Sequence, residues 1–166
     1  KKSGMPLISL VGYTNSGKST LLNRLSQADV YVADQLFATL DPTTRRVNLS
    51  YKDVALITDT VGFIQKLPAT LIAAFHATLE EITEADLLLH LVDITHPNAM
   101  NQADVVMKTI GEIGASHIPV LLALNKIDKS QSNLDFTAFS QVYPDAVGIS
   151  ALSGKGIDTL LESLHS

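Results

Sequence analysis

The chain has 166 residues, of which 46% are hydrophobic and 17% charged, and its formal net charge is −5. This length predicts one globular domain, because a chain of this size buries roughly 70% of the surface that it exposes when unfolded. The low charged fraction excludes a disordered chain. The acidic balance argues against direct DNA binding, which depends on neutralising phosphates. Cysteine is absent, which excludes disulfides and thiolate metal sites within these residues. No apolar run approaches the roughly 18 residues of a membrane span.

Short apolar runs alternate with helix-period stretches along the chain. The predicted strands, in chain order, are Leu7 to Val11, Arg46 to Tyr51, Val54 to Thr58, Leu87 to Val92, Val120 to Leu124 and Ala146 to Ile149. Near the end of the chain, apolar residues recur at helical spacing, at Ile157, Leu160, Leu161 and Leu164. This alternation predicts an α/β fold of three αβα layers around a six-stranded, mostly parallel sheet. Lys52 and Asp53 separate the second and third runs, which predicts a hairpin and one antiparallel edge strand.

The first predicted strand runs into a glycine-rich segment that matches G-x-x-x-x-G-K-[ST], namely Gly12-Tyr13-Thr14-Asn15-Ser16-Gly17-Lys18-Ser19. Glycines at both ends let successive N–H groups point at phosphates, and the helix that follows adds its positive dipole end. Lys18 is expected to reach the β- and γ-phosphates, and the Ser19 hydroxyl is a hard oxygen ligand for Mg²⁺. With Thr20 included, the segment predicts a nucleotide-phosphate site.

A second motif, Asn125-Lys126-Ile127-Asp128, follows the strand predicted at Val120 to Leu124. A carboxylate there accepts two hydrogen bonds from N1–H and the 2-amino group of guanine, and adenine offers neither donor. Asp128 is therefore predicted to select guanine. Asn125 is expected to join the base loop to the phosphate loop, and the Lys126 stem to pack over the ring. A P-loop kinase or ATPase is the alternative, and Asp128 argues against it.

Two shorter motifs complete the predicted site. In Ser150-Ala151-Leu152, after the last predicted strand, the Ala151 N–H is predicted to bind guanine O6. In Asp59-Thr60-Val61-Gly62, Asp59 is expected to hold Mg²⁺ through a water, and the Gly62 N–H to meet the γ-phosphate. The four motifs occur in the order typical of Ras-like GTPases. The sequence therefore predicts GTP and GDP as ligands and a P-loop G domain as the fold.

Three stretches make the resemblance narrower: Gly12-Tyr13-Thr14-Asn15, Phe37-Ala38-Thr39-Leu40-Asp41-Pro42-Thr43-Thr44-Arg45 and Asp59-Thr60-Val61-Gly62-Phe63-Ile64. Together they resemble the HflX family of translational GTPases over essentially the whole chain. The resemblance implies a bacterial cytoplasmic GTPase that binds the large ribosomal subunit, partly associated with ribosomes or membranes. It also implies that residues 1–6 are the remnant of an interdomain linker and residues 7–166 the G domain. Another G domain, of the Obg or tRNA-modifying type, is the alternative.

The resemblance assigns further roles in the long loop. It implies that Phe37, Ala38, Thr39, Leu40 and Asp41 contact the nucleotide and that the Thr39 hydroxyl completes the Mg²⁺ coordination. On chemistry alone, Thr43 and Thr44 are rivals for this role. Lys18, Thr39 and Gly62 form the predicted catalytic set.

Phe63 stands where Ras-like enzymes carry the glutamine that orients the attacking water. A phenyl ring makes no such hydrogen bond, so intrinsic hydrolysis is expected to be slow. Either Phe63 only packs in the switch, or another group replaces the glutamine when a partner is bound. Candidates are a potassium ion (K⁺) held by Asn15, as in potassium-activated relatives, and a finger from Arg45 or Arg46. The slow rate keeps open a second function, a nucleotide-gated binding module whose turnover is incidental.

Overall fold

The computed structural model describes residues 6–12, 17–25, 44–49, 53–59, 84–112, 114–127 and 133–165. Within these residues the strands are β1 (Leu7–Val11), β2 (Thr44–Asn48), β3 (Val54–Asp59), β4 (Leu87–Asp93), β5 (Val120–Asn125) and β6 (Val147–Gly148). The helices are α1 (Lys18–Leu25), α2 (Ala99–Glu112), α3 (Asn133–Val142) and α4 (Ile157–His165).

The six strands form one sheet in the order β2-β3-β1-β4-β5-β6. β1 pairs in parallel with β3 and β4, and β5 pairs in parallel with β4 and β6. Only β2, at the edge, is antiparallel to its neighbour β3. Parallel neighbours carry their carboxyl ends to the same edge, so the segments that follow β1, β3, β4 and β5 start side by side. The predicted six-stranded, mostly parallel sheet is confirmed.

Helices cover both faces of the sheet, because side chains alternate between faces along each strand. On one face Leu89 and Leu91 of β4 belong to a core that includes Leu21 of α1 and Leu160 of α4. On the other face Leu88, Val92 and the neighbouring strands pack against buried side chains of α2 and α3, which are Ala99, Ala103, Val106, Ile110 and Phe139. The predicted αβα layers are therefore observed. No helix in the described ranges is long and apolar enough to cross a membrane.

The predicted bounds of β2 were wrong. The strand was expected at Arg46 to Tyr51, but the ladder with β3 begins at Thr44, opposite Thr58, and ends at Asn48, opposite Val54. Leu49 N–H donates to Asp53 O at 2.8 Å, which continues the antiparallel register by one hydrogen bond beyond the bounds of the two strands. Leu49 is buried although it lies one residue beyond the strand, and residues 50–52 lie outside the described ranges.

Candidate nucleotide-binding site

Polar residues lie at the carboxyl ends of β3, on one side of β1, and of β4 and β5, on the other side. Asp59 ends β3 opposite Leu10 of β1, and Asp93 ends β4 opposite Asn125 of β5. In open α/β sheets this edge is where ligands bind. The fold thus brings the glycine-rich segment, Asp59 and the Asn125 motif to one edge, as the sequence predicts.

The helix that follows the glycine-rich segment begins at Lys18. Gly17 adopts a φ of 103°, and its carbonyl accepts the first helical hydrogen bond from Leu21 N–H at 2.9 Å. A side chain is rarely tolerated at this φ, so glycine is required here. Lys18 is buried in the first turn, while Ser19 and Thr20 are exposed. The cradle residues Tyr13 to Ser16 lie outside the described residues.

Asn125 joins three segments of the candidate site. Its side chain is buried, and Oδ1 accepts hydrogen bonds from the N–H groups of Lys126 at 2.8 Å and Ala151 at 2.9 Å. Its amide nitrogen faces Gly17 so closely that a Cβ at Gly17 would collide with it. This geometry agrees with the predicted link between the base loop and the phosphate loop.

Lys126 follows at a φ of 70°, which is uncommon for a residue with a side chain. Its Nζ donates to Asp93 Oδ2 at 3.0 Å, and the N–H and hydroxyl of Thr95 donate to Asp93 Oδ1. Partial burial raises the pKa of Asp93, but the hydrogen bonds from Thr95 and Lys126 and the charge of Lys126 outweigh it. The pKa of this carboxyl therefore lies below its ordinary value. The ion pair holds Lys126 beside the sheet edge, and the contact of its stem with a base stays a prediction.

The Ser150-Ala151-Leu152 segment forms a tight loop after β6. Ser150 is buried, its N–H donates to Lys155 O, and its carbonyl accepts from Gly154 N–H, each at 2.8 Å. The Ala151 N–H donates to Asn125 Oδ1. Binding of guanine O6 by the same N–H stays a prediction, and it would require this donor to be shared between two acceptors.

Sequence reasoning missed two residues of this site, Arg24 and Asp93. Arg24 of α1 donates to the carbonyls of Ala151 and Leu152, at 2.6 and 2.7 Å. Arg24 lies 127 residues before Ala151 and 128 residues before Leu152 in the sequence, and no sequence pattern connects residues so far apart. Asp93 had a usable signal, since a carboxylate directly after an apolar parallel strand lies at the ligand-binding edge.

The donor set predicted for Mg²⁺ is only partly described. Ser19 presents an exposed hydroxyl in the first turn of α1, and Asp59 ends the strand next to β1. Hydroxyl and carboxylate oxygens are ligands that Mg²⁺ accepts, so these two residues fit the ion. The predicted site residues outside the described ranges are Tyr13, Thr14, Asn15, Ser16, Phe37, Ala38, Thr39, Leu40, Asp41, Thr60, Val61, Gly62 and Asp128.

The sheet order, the glycine-rich turn before α1 and the buried asparagine at the end of β5 define a P-loop G domain of the Ras-like fold. A family model described as 50S ribosome-binding GTPase matches residues 7–126, and the chain belongs to this family.

Relatives and solved structures make the likeness more specific. The chain is 57% identical over 129 residues to GTPase HflX of Alkalihalophilus pseudofirmus, covering 78% of this chain and 30% of the relative. It is 46% identical to GTPase HflX of Escherichia coli K12, covering 98% of this chain and 38% of the relative. A GTP-binding protein from Sulfolobus solfataricus in complex with GDP superposes with a TM-score of 0.81 at 28% identity, covering 96% of this chain and 51% of that chain. The resemblance to the HflX family is thereby confirmed, and the chain spans about a third of the length of these HflX relatives.

Proposed function

We propose that this domain binds GTP and GDP with Mg²⁺, hydrolyses GTP, and is the nucleotide switch of an HflX-like protein that acts on the large ribosomal subunit in the cytoplasm. The observation that carries the proposal is the position of Asn125. Its buried side chain bonds the base loop through Ala151 N–H and faces the phosphate loop at Gly17. A site built this way holds both ends of one nucleotide in a fixed relation.

Different residues are proposed to bind the phosphates, the guanine base and the Mg²⁺ ion. The amides from Gly12 to Ser19 and the Lys18 ammonium neutralise and orient the phosphates, while Asp128 accepts from the guanine edge. Ser19, Asp59 through a water, and Thr39 are the proposed ligands of Mg²⁺, which when bound neutralises charge on the phosphate oxygens. The Gly62 N–H is proposed to sense the γ-phosphate.

Hydrolysis is proposed to be slow without a partner. Water attacks the γ-phosphorus, the bond to the β,γ-bridging oxygen breaks, and GDP and phosphate leave. Phe63 supplies no hydrogen bond to orient that water. We propose that a K⁺ ion held by Asn15 would offset this loss by stabilising charge in the transition state, as an arginine finger does. Faster GTP turnover in KCl than in NaCl supports it, and equal rates contradict it for this domain.

The nucleotide assignment is tested by calorimetry with GDP and ADP. We expect the chain to bind GDP and not ADP, and an Asp128→Asn variant to change its preference from guanine to xanthine nucleotides. If the chain does not bind GDP, or binds ADP as tightly as GDP, the proposal is wrong.

The family description, which names the 50S ribosome, supports the large ribosomal subunit as partner. Because the domain is acidic, we propose that other parts of such a protein make most of the contacts with rRNA. Single-turnover GTP hydrolysis with and without large subunits tests the switch. Faster hydrolysis in the presence of subunits supports the proposed switch. If subunits do not accelerate hydrolysis in a protein that carries this domain together with the remaining HflX domains, the result favours the alternative function, a nucleotide-gated binding module.

A further inference from the structure

A groove lies between α2 and the carboxyl end of α3, where β5 and β6 begin. Its volume is about 170 Å³, and its apolar lining consists mainly of Met107, Val120, Leu122, Val142, Pro144 and Ala146. Val120 begins β5 and Ala146 directly precedes β6, whereas the candidate nucleotide site lies at the carboxyl ends of the strands. The groove is therefore separate from that site.

Tyr143 forms a fixed wall of the groove. Its ring stacks on Phe139 with 6.4 Å between the ring centroids, and its hydroxyl donates to Asp104 Oδ1 of α2 at 3.3 Å. Partial burial and the Asp104 carboxylate raise the pKa of Tyr143, so the hydroxyl stays protonated as a donor. Ala146 N–H donates to Tyr143 O at 3.1 Å. Because these contacts already hold the wall in place, little conformational freedom is lost there when a ligand binds.

The groove presents apolar surface to solvent. Val142, at its rim, is 56% exposed, and within the described ranges only Leu152 is a more exposed large hydrophobic residue. A cavity of comparable size, about 150 Å³, holds a benzene ring. The groove therefore has room for one aliphatic or aromatic side chain. Tyrosine and methionine, which line it as Tyr143 and Met107, are enriched in protein interfaces.

The charges around the groove attract cations and repel phosphates. Among the described residues that line it, only Asp145 is charged, and Asp104 lies next to it at the Tyr143 hydroxyl. α3 ends at Val142 without a basic residue in its last turn, so the negative end of the helix dipole also lies here. The exposed Lys108 of α2 does not belong to the lining. Lysine and arginine side chains complement this rim, whereas an RNA backbone would bring phosphates to it.

We propose that this groove is a docking site for a basic protein segment. One apolar side chain of the segment enters the cavity beside Tyr143, and neighbouring lysine or arginine side chains pair with Asp104 and Asp145. Such a segment satisfies both the apolar lining and the acidic rim. The docking site does not depend on the proposed nucleotide function, because the two sites lie at opposite ends of the strands.

NMR spectroscopy of the isotope-labelled chain tests the docking site with a short peptide that has leucine at its centre and two lysines on each side. We expect this peptide to shift the backbone amide signals of Met107, Val142 and Ala146, and to leave those of Gly17 and Asn125 at the candidate nucleotide site unchanged. A peptide with alanine at its centre should bind roughly tenfold more weakly, because it buries much less apolar surface.

Substitutions at the rim separate charge from apolar contact. Asp145→Asn removes one carboxylate and should weaken binding of the leucine peptide about twofold to threefold, the value of an exposed ion pair. The matched control Asp158→Asn makes the same change of charge in the first turn of α4 and should keep the affinity. Val142→Lys places a cation beside the cavity and should weaken binding more than Asp145→Asn does. If Val142→Lys does not fold, Asp145→Asn carries the test.

Four results would overturn the docking site. The first is the absence of shifts at the groove at millimolar peptide, and the second is equal shifts with a peptide in which glutamates replace the lysines. The third is equal weakening by Asp145→Asn and Asp158→Asn. The fourth is a short single-stranded RNA that shifts the groove signals, which would assign this surface to nucleic acid.

Discussion

Lys126 Nζ lies 3.0 Å from Asp93 Oδ2, so the lysine of the base motif is tied to the last residue of β4. The two residues lie at the carboxyl ends of neighbouring parallel strands. This pair fixes the ammonium end of a side chain whose stem the sequence predicts to lie along a guanine ring. It adds a charged contact to the hydrogen bonds of Asn125 at the same edge.

The Asp93→Asn substitution tests this ion pair. It keeps an oxygen for the two donors of Thr95 and removes the charge that faces Lys126. Because the Lys126 side chain is 36% exposed, we expect the free energy of unfolding to fall by no more than about 1 kcal/mol in low salt. In 1 M NaCl the difference should shrink, since salt screens exposed charges. Urea unfolding at both salt concentrations measures it, and an equal loss in both would assign the effect to something other than charge.

Replacing Asn125 by alanine should have a much larger effect. The buried Oδ1 accepts from two amides, and its removal leaves both without an acceptor, at roughly 1–3 kcal/mol for each buried group. Because the hydrogen bond to Lys126 N–H is only partly buried, its loss should cost about 1 kcal/mol, and we expect a total loss of about 2–4 kcal/mol in urea unfolding, together with weaker GDP binding. The matched control is Asn101→Ala, an exposed change on α2 that should alter stability by less than about 0.5 kcal/mol. Equal effects of the two substitutions would show that the Asn125 contacts do not matter.

Much of the fold was predictable because local patterns and the global fold agree. The run Leu7 to Val11 was predicted with its observed bounds, and the Ile157, Leu160, Leu161 and Leu164 spacing matches α4, in which Leu160 and Leu164 are buried. Both signals depend only on side-chain periodicity. The bounds of β2 were missed because an edge strand is set by pairing with its neighbour rather than by its own apolar residues.

The sequence predicted those site residues that belong to short motifs. It did not predict contacts between residues that are far apart in the sequence. Gly17 and Asn125 carry local signatures, and the structure brings them together. The Arg24 contacts with Ala151 and Leu152 arise only when α1 and the last loop pack on the same sheet. No motif marks His90, which is buried within β4 and whose Nδ1 has no hydrogen-bond partner within the described part of the chain.

Two glycines offer a matched test of backbone geometry. Gly156 adopts a φ of 79°, and a Cβ there would collide with Gly148 O, so Gly156→Ala should destabilise the domain by about 1–3 kcal/mol. Gly111 lies in α2 with open space around its Cα, and Gly111→Ala should stabilise by about 0.5–1 kcal/mol through helix propensity. Thermal unfolding measures both changes. Opposite signs are expected, and two changes of the same sign would contradict the argument.

His90 should make the stability of the domain depend on pH. Burial in β4 lowers the pKa of His90 from 6.5 to about 3. The unfolded chain therefore takes up a proton near pH 6.5, whereas the folded chain does so only near pH 3. The contribution of neutral His90 is fully present above pH 6.5 and is lost as the pH falls toward 3, by about 1.4 kcal/mol per pH unit at most. Urea unfolding between pH 7 and pH 4 should show this slope, and it should be smaller in His90→Leu. The exposed His117 is the control, because His117→Gln should keep the slope. If His90→Leu and the parent chain lose stability equally between these pH values, protonation of other groups causes the acid sensitivity.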